Sequence, residues 1–139
     1  MIVLDTNVLS EALRPVPEPT VLDWLSNQPR ASLFVTTVTR GEILYGIRIL
    51  GDGKRRRGLW DAAMKIFDAD FAGQVLSFDS EAADLYADIA ASRRAAGKPI
   101  SQFDAMIVAL ARSRGASLAT RNAKDFEDCG VEVINPWKD

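Results

Sequence analysis

Three acidic residues, Asp5, Glu42 and Asp104, lie beside apolar segments in the sequence. Asp5 directly follows the apolar run 2–4, and the other two lie near the starts of predicted helices. A carboxylate in apolar surroundings is costly unless it is paired, hydrogen-bonded or bound to a metal. Acids gathered in one place raise each other's pKa, and a hard divalent cation relieves their repulsion. The three acids therefore predict an all-oxygen site for Mg²⁺ or Mn²⁺, suited to hydrolysis of a phosphodiester.

Each of these acids also has a structural explanation. Asp5 can cap the helix that follows it, as Asp commonly does. Asp104 lies three residues after Ser101 and can complete a capping box or favour the helix dipole. Glu42 can form a core salt bridge with Arg40 or with a more distant arginine. The sequence leaves these alternatives open, because it does not show whether the three acids meet in space.

Histidine is absent from the 139 residues, and Cys129 is the single cysteine. The absence of histidine excludes Ser-His-Asp triads, Cys-His pairs, histidine-based zinc sites and ribonuclease chemistry that uses imidazole. The single cysteine excludes an intrachain disulfide and a CxxC motif. Any catalysis must therefore use carboxylates, lysines, hydroxyls or a metal held by oxygen atoms.

The overall charge does not indicate a nucleic-acid-binding protein, because 17 basic and 19 acidic residues leave a net charge of −2. Local basic patches matter more than the total. Three such patches occur, at residues 54–57, at Arg93, Arg94 and Lys98, and at Arg112 and Arg114. Each patch taken alone is better explained as a solvated helix face.

Apolar runs and helical spacing alternate along the chain. Strands are predicted at 2–4, 33–36, 75–78, 116–120 and 131–134, and helices at 8–13, 20–27, 38–50, 54–71, 80–96 and 101–114, with a helical turn at 122–128. This alternation predicts one three-layer α/β domain over residues 1–139 with a mainly parallel central sheet. Ligands bind such sheets beyond the carboxyl ends of the strands. Asp5 lies at one of these ends, and Asn122 and Asp125 follow the strand that ends at Thr120.

The sequence also favours a cytoplasmic protein without a membrane segment. The N-terminus lacks the basic start and long apolar stretch of a secretory signal. The longest uninterrupted apolar run, Ala105–Ala111, is far shorter than the ~18 residues that a membrane span requires.

Five segments together resemble a known family. They read IVLDTNVL at 2–9, VTRGEI at 38–43, ISQFDAMI at 100–107, ATRNAKDF at 119–126 and NPW at 135–137. In this order, over essentially the whole chain, they resemble the PIN domain and in particular the VapC-type ribonuclease toxins of bacterial toxin–antitoxin modules. The FitB branch is the most similar. The combination is specific, whereas any one segment is a weak signal.

The resemblance implies a three-layer α/β/α PIN fold with an acidic pocket. Its catalytic residues and core metal ligands would be Asp5, Glu42 and Asp104. Further residues would orient these acids or contact substrate, namely Thr6, Asn7, Thr120 and Arg121. The fourth acidic position of the family falls on Asn122, whose amide oxygen can still act as a metal ligand but carries no charge. Asp125 is the candidate that would supply the missing carboxylate, so a second metal is in doubt.

The function implied by the resemblance is that of a toxin component of a type II toxin–antitoxin module. Such a toxin is an endoribonuclease that uses Mg²⁺, with Mn²⁺ as an alternative, and a metal-activated water to cut RNA. It works as a homodimer and is inhibited by a cognate antitoxin, here one similar to VapB or FitA. Operator DNA is bound only through the antitoxin.

Two alternatives belong to other functional classes. A receiver-like signalling domain also carries acids at strand ends, but it would need paired acids and a lysine after the last core strand, neither of which stands out here. A catalytically weak PIN-like chain could instead act as a binding partner in an antitoxin–DNA complex. The neutral Asn122 favours this second alternative, and metal titration would distinguish it from an active nuclease.

Overall fold

The computed structural model describes residues 1–138, and within them five short strands form a single sheet. The strands are β1 (Ile2–Leu4), β2 (Leu33–Thr36), β3 (Val75–Leu76), β4 (Ser117–Ala119) and β5 (Val133–Ile134). They lie in the order β3-β2-β1-β4-β5, and every pairing is parallel. The predicted α/β class is confirmed. The order also differs from the 2-1-3-4-5 order of receiver domains, so the receiver alternative is wrong.

Within residues 1–138, six α-helices connect or flank the strands. They are α1 (Thr6–Ala12), α2 (Pro19–Asn27), α3 (Thr37–Arg48), α4 (Lys54–Lys65), α5 (Ser80–Ala95) and α6 (Gln102–Ser113). The predicted helix over 54–71 is interrupted, because α4 ends at Lys65 and a π-helical turn over Ile66–Asp70 follows. Within this wider turn Phe67 is buried in the core while Asp68 reaches Arg40 at 2.8 Å.

The core lies on both faces of the sheet. Successive residues of a strand point to opposite faces, and Val3 packs with residues of α5 and α6 while Leu4 packs with residues of α1, α2 and α3. Both residues have no solvent exposure. Strands buried on both faces are typical of parallel sheets covered by helices, which confirms the three layers.

No helix within residues 1–138 is long and apolar enough to span a bilayer. The longest apolar run lies instead in α6, where Ala105 and Ile107–Ala111 are buried against β1, β4 and α5.

Candidate active site

The candidate acids lie on or next to three helices: Asp5 caps α1, Asp104 lies in the first turn of α6, and Glu42 lies midway along α3. Asp5 directly follows β1 and caps α1, so the capping alternative for Asp5 is confirmed. The start of α3 is capped by Thr36, whose hydroxyl accepts from the Thr39 amide at 3.0 Å. Ser101 caps α6 by accepting from the Asp104 amide at 3.2 Å. These caps leave the carboxylates of Glu42 on α3 and Asp104 on α6 beside Asp5.

Asp5 is the most buried of the three acids, with 4% of its surface exposed. One carboxylate oxygen accepts from the Thr6 amide at 2.8 Å, and the other accepts from the Thr120 hydroxyl at 2.7 Å. Burial raises the pKa of Asp5 to about 6, and the nearby carboxylates of Asp104 and Glu42 add to this rise. The two hydrogen bonds oppose the rise without cancelling it. The carboxylate therefore remains poorly compensated in the absence of a cation.

Glu42 is half-buried and is held by a hydroxyl rather than by a positive charge. Its Oε1 accepts from the Thr6 hydroxyl at 2.8 Å, and that hydroxyl lies 2.9 Å from the hydroxyl of Thr39. Burial raises the pKa of Glu42, and Asp104 raises it further. The proposed salt bridge with Arg40 is wrong, because that arginine pairs with Asp68 and none of the ion pairs formed within residues 1–138 includes Glu42.

Asp104 lies in the first turn of α6 and is half-buried. Burial raises the pKa of its carboxyl group, the Ser101 hydroxyl opposes this, and the Asp125 carboxylate adds to the rise. The predicted capping box is present in part, since Ser101 bonds the Asp104 amide, whereas no return bond to the Ser101 amide occurs in the described part of the chain. Asp104 thus keeps its oxygens available to the site.

One cavity of about 490 Å³ brings most of the predicted residues together. Its lining includes Asp5, Thr6, Asn7, Glu42, Asp104, Arg121 and Asn122. Asp125 lines a neighbouring cavity instead. Thr120 has no exposed surface and lies behind Asp5, where its hydroxyl also accepts from the Asn7 side chain at 3.2 Å. Thr120 is therefore placed to position Asp5 rather than to touch substrate.

The donor set of this cavity fits a hydrated divalent cation. All of the candidate ligands are carboxylate or amide oxygens, and the raised pKa values of three acids show that their negative charges are poorly compensated. Within residues 1–138 no three acidic or cysteine side chains are grouped tightly enough to enclose one ion. Mg²⁺ commonly uses one or two carboxylates and keeps several waters. The cavity therefore suits such an ion better than it suits a fully enclosed metal.

Five residues of the site region were missed by sequence reasoning. Thr39 bonds Thr6, and four others line the acidic cavity, namely Ser10, Glu11, Arg14 and Trp137. Helical spacing could have found two of them, because Thr39 lies one turn before Glu42 and Glu11 lies one turn after Asn7. Glu11 is buried and accepts from Arg14 at 3.2 Å and from the Glu18 amide at 3.1 Å.

Arg93 organises the loop that follows β4. The sequence suggested a solvated basic face, but Arg93 is buried, with 9% of its surface exposed. Its guanidinium donates to the carbonyl oxygens of Lys98 at 2.7 Å, Asp125 at 2.8 Å and Glu127 at 3.2 Å, and contacts the Cys129 sulfur at 3.4 Å. The solvated interpretation is therefore wrong for Arg93, which holds the turn that carries Asp125.

Replacing Arg93 with Ala should cost about 3 kcal/mol of unfolding free energy, because buried carbonyls lose a charged donor. Urea denaturation would measure this loss. Hydrogen exchange should also become faster in residues 122–128. The exposed neighbour Arg94 offers a matched control, and Arg94→Ala should change stability by less than about 0.5 kcal/mol. Equal stabilities of the two variants would show that the Arg93 contacts do not hold the loop.

Comparison with known proteins agrees with the fold. The chain is 42% identical to the plasmid stability protein StbB of Pseudomonas syringae pv. tomato over 138 residues, which are 99% of each chain. It is 38% identical to the VapC ribonuclease Y4jK of Sinorhizobium fredii, again over 99% of each chain. Identity with the toxin FitB of Neisseria gonorrhoeae is 36% over the full length of both chains.

Among solved structures, a chain of the FitAB complex bound to the IR36 DNA fragment superposes with a TM-score of 0.92. The superposition covers 99% of the present chain and 96% of the other, at 36% identity. The PIN domain family matches residues 2–131. With this match, the parallel sheet and the acids at its carboxyl edge, the chain belongs to the PIN domain family, among relatives of the VapC and FitB type.

Proposed function

We propose that this chain is the toxin of a type II toxin–antitoxin module and a metal-dependent endoribonuclease. The observation that carries the proposal is the acidic cavity, in which Asp5, Glu42 and Asp104 meet. Burial raises the pKa of all three acids, and the carboxylate of Asp104 adds to the rise for Asp5 and Glu42. The names of two relatives, a VapC ribonuclease and the toxin FitB, support the same activity. The cofactor would be Mg²⁺, with Mn²⁺ as an alternative, held by the three acids and by the amide oxygen of Asn122 in part through waters that the ion keeps.

Bound in the cavity, the cation would supply a Lewis acid for the phosphodiester and an activated water. The chain contributes the positions of its own oxygens. Thr120 and the Thr6 amide hold the two oxygens of Asp5, and the Thr6 hydroxyl holds Glu42. One of these carboxylates would take the proton of the attacking water. The Arg121 side chain at the rim would hold a phosphate beside the cut.

The first test is the chemistry of the RNA ends. Because water attacks, the 2′-OH is not needed, and the products should carry 5′-phosphate and 3′-OH ends. Ligation-based end mapping of cellular RNA after induced expression would detect these ends. Chelation with EDTA should stop cleavage, and added Mg²⁺ or Mn²⁺ should restore it. Products with 2′,3′-cyclic phosphates would contradict the mechanism.

A weaker enzyme that mainly binds an antitoxin is the second candidate. It is favoured by the neutral Asn122 in the acidic cavity and by the absence, within residues 1–138, of three acids close enough to enclose an ion. Metal titration followed by thermal unfolding separates the two candidates. A nuclease should gain stability with Mn²⁺, because the cation binds only the folded state. An inert partner should show no shift at millimolar Mn²⁺.

The partners that we propose are a cognate antitoxin similar to VapB or FitA, operator DNA through that antitoxin, and a second copy of the chain. The FitAB–DNA complex that the fold matches supports the first two. An apolar patch on α3 supports a partner chain, since Tyr45 and Ile49 lie one turn apart and are 68% and 67% exposed.

We further propose that residues 1–139 form one PIN domain and act in the cytoplasm.

A further inference from the structure

A chain of hydroxyl groups joins the start of α3 to the start of α1. Thr36 and Thr39 have no exposed surface, and the Thr36 hydroxyl accepts from the Thr39 amide at 3.0 Å. The hydroxyl oxygens of Thr39 and Thr6 are 2.9 Å apart, although the two residues are 33 positions apart in the sequence. The Thr6 hydroxyl in turn donates to Oε1 of Glu42 at 2.8 Å. The chain therefore ends on one of the candidate metal ligands.

The direction of these hydrogen bonds follows from the number of protons. A threonine hydroxyl carries one proton to donate and two lone pairs to accept, whereas an ionised carboxylate can only accept. The Thr6 hydroxyl gives its single proton to Glu42 and has none left for Thr39. The Thr39 hydroxyl is therefore the donor in the pair of hydroxyls. The order of donation is Thr39 to Thr6 to Glu42.

The Thr39 hydroxyl is committed to this one contact. Within residues 1–138 it forms a hydrogen bond with Thr6 and with no other group. A threonine inside a helix can instead donate to a backbone carbonyl one turn back, but here the contact with Thr6 takes the only proton. Linked hydrogen bonds in a buried site polarise and strengthen one another. Loss of the Thr39 hydroxyl should therefore weaken the bond between Thr6 and Glu42.

Thr6 bonds two of the three acids of the cavity. Its amide donates to Oδ1 of Asp5 at 2.8 Å, and its hydroxyl donates to Oε1 of Glu42 at 2.8 Å. The rotamer of the Thr6 side chain thus sets where Oε1 of Glu42 lies relative to Asp5. A threonine side chain has several staggered rotamers, and the contact with Thr39 favours the one in which the hydroxyl reaches Glu42.

We propose that Thr39 is a positioning residue of the acidic cavity. Its buried hydroxyl directs the Thr6 proton to Glu42 and so holds a carboxylate oxygen of Glu42 in place for the cation. Residues that hold a metal ligand in this way account for about 10–100-fold in metal affinity, because a preorganised site loses less entropy on binding. The role rests on the proposed metal-dependent function. It adds to that function a residue that has no exposed surface and acts only through Thr6.

Two pairs of variants separate the hydroxyl group from the rest of the side chain. The wild type and Thr39→Val differ by a hydroxyl against a methyl group, and Thr39→Ser and Thr39→Ala differ by the hydroxyl alone. The Kd for Mn²⁺ would be measured without RNA, from the electron paramagnetic resonance signal of the free ion. In each pair, the variant without the hydroxyl should bind Mn²⁺ about tenfold more weakly than its partner.

A role in packing alone predicts a different pattern. Thr39→Ser removes a buried methyl group and Thr39→Val keeps it, so packing alone would harm the serine variant more. We expect the serine variant to melt at a lower temperature than the wild type but to keep the wild-type affinity for Mn²⁺. Thr37→Val is the matched control, because it makes the same change at an exposed position of α3 that does not line the acidic cavity. It should leave the Kd for Mn²⁺ unchanged.

A double variant tests whether Thr39 acts through Thr6. Thr39→Val combined with Thr6→Val should raise the Kd for Mn²⁺ no more than Thr6→Val alone, because the second change removes a contact that is already lost. In RNA cleavage, Thr39→Val should raise the Mg²⁺ concentration needed for half-maximal rate about tenfold. The value of kcat at saturating Mg²⁺ should fall by a smaller factor, since the ligands themselves remain.

The outcomes separate the role of Thr39 from the function on which it rests. Suppose that the wild type binds Mn²⁺ and cuts RNA. If the variants without the hydroxyl then bind Mn²⁺ as tightly as their partners, or if the effects of Thr39→Val and Thr6→Val add, the positioning role is wrong and the nuclease stands. If the wild type neither binds Mn²⁺ nor cuts RNA, both are wrong. Weaker Mn²⁺ binding in both variants without the hydroxyl, with no further loss once Thr6 is replaced, supports the role.

Discussion

Replacement of Asp104 with Asn is expected to abolish RNA cleavage while leaving the fold intact. The change keeps the volume of the side chain and the cap of α6, because the cap uses the Ser101 hydroxyl and the backbone amide of residue 104. It removes one of the charges that would hold the cation. Loss of residues that only support a ligand costs about 10–100-fold in activity, so loss of a ligand itself should cost more than about 100-fold.

The measurement is the initial rate of RNA cleavage at saturating Mg²⁺, with the melting temperature as the test of folding. Asp88→Asn on α5 is the matched control, because it makes the same chemical change at an exposed position outside the cavity. The control should cleave at the wild-type rate. Wild-type cleavage by the Asp104 variant would mean that this acid takes no part in catalysis.

Replacement of Asp5 with Asn should make the metal-free protein more stable at neutral pH while it destroys activity. Asp5 is buried and its pKa is raised to about 6, so its ionised form is disfavoured in the folded state. The rise from 3.8 to about 6 corresponds to about 3 kcal/mol of unfolding free energy lost when the group ionises. Asparagine carries no charge and avoids this loss. The expected gain is smaller, about 1–2 kcal/mol, because an amide nitrogen cannot accept the Thr120 hydroxyl proton.

The sign of the pH dependence follows from the direction of this shift. Below pH 3.8 the carboxyl group is protonated in both the folded and the unfolded state and contributes nothing. Between pH 3.8 and about 6 the folded state binds more protons, so stability falls as pH rises. Above about pH 6 the penalty is complete. The difference in stability between Asp5→Asn and the wild type should therefore grow through this window and then level off.

Urea denaturation in EDTA buffer at several values of pH measures this difference, since titration of groups distant from Asp5 cancels between the two proteins. Added Mn²⁺ should reverse the order of stability, because the cation stabilises the wild-type cluster and binds the variant poorly. A constant difference across the pH range, or a less stable variant in EDTA, would show that the Asp5 carboxylate is not under electrostatic strain.

The fold class could be predicted because its signals are local. Strand β1 and the run Ala105–Ala111 are apolar stretches whose lengths and flanking residues already indicate a buried strand and a buried helix. The position of Asp5 at the end of β1 follows from the same pattern. Helix α4 was predicted too long, because apolar spacing continues through Phe67 and does not distinguish a π-helical turn from an α-helix.

The roles of the long charged side chains could not be predicted, because their partners are distant in sequence. Arg40 was a candidate partner for Glu42, two residues away, but it pairs with Asp68, 28 residues along the chain. Arg93 resembled a surface cation, yet it donates to carbonyl oxygens 32 and 34 residues away. A long, flexible charged side chain can reach ion-pair or hydrogen-bond partners on several neighbouring elements. Local periodicity in the sequence does not show which of these partners lies within reach in the folded chain.

The sequence by itself determined the kind of chemistry that is open to this protein. The absence of histidine and the single cysteine left carboxylates, lysines, hydroxyls or a metal held by oxygen atoms as the means of catalysis. The sequence also placed Asp5, Glu42 and Asp104 near the ends of predicted strands or the starts of predicted helices. Only the tertiary structure decided that these acids share a cavity, that Thr120 lies behind Asp5, and that Arg121 and Trp137 form its rim. The physical reason is that burial and electrostatic repulsion depend on distances in space, which the parallel sheet sets by bringing distant segments to one edge.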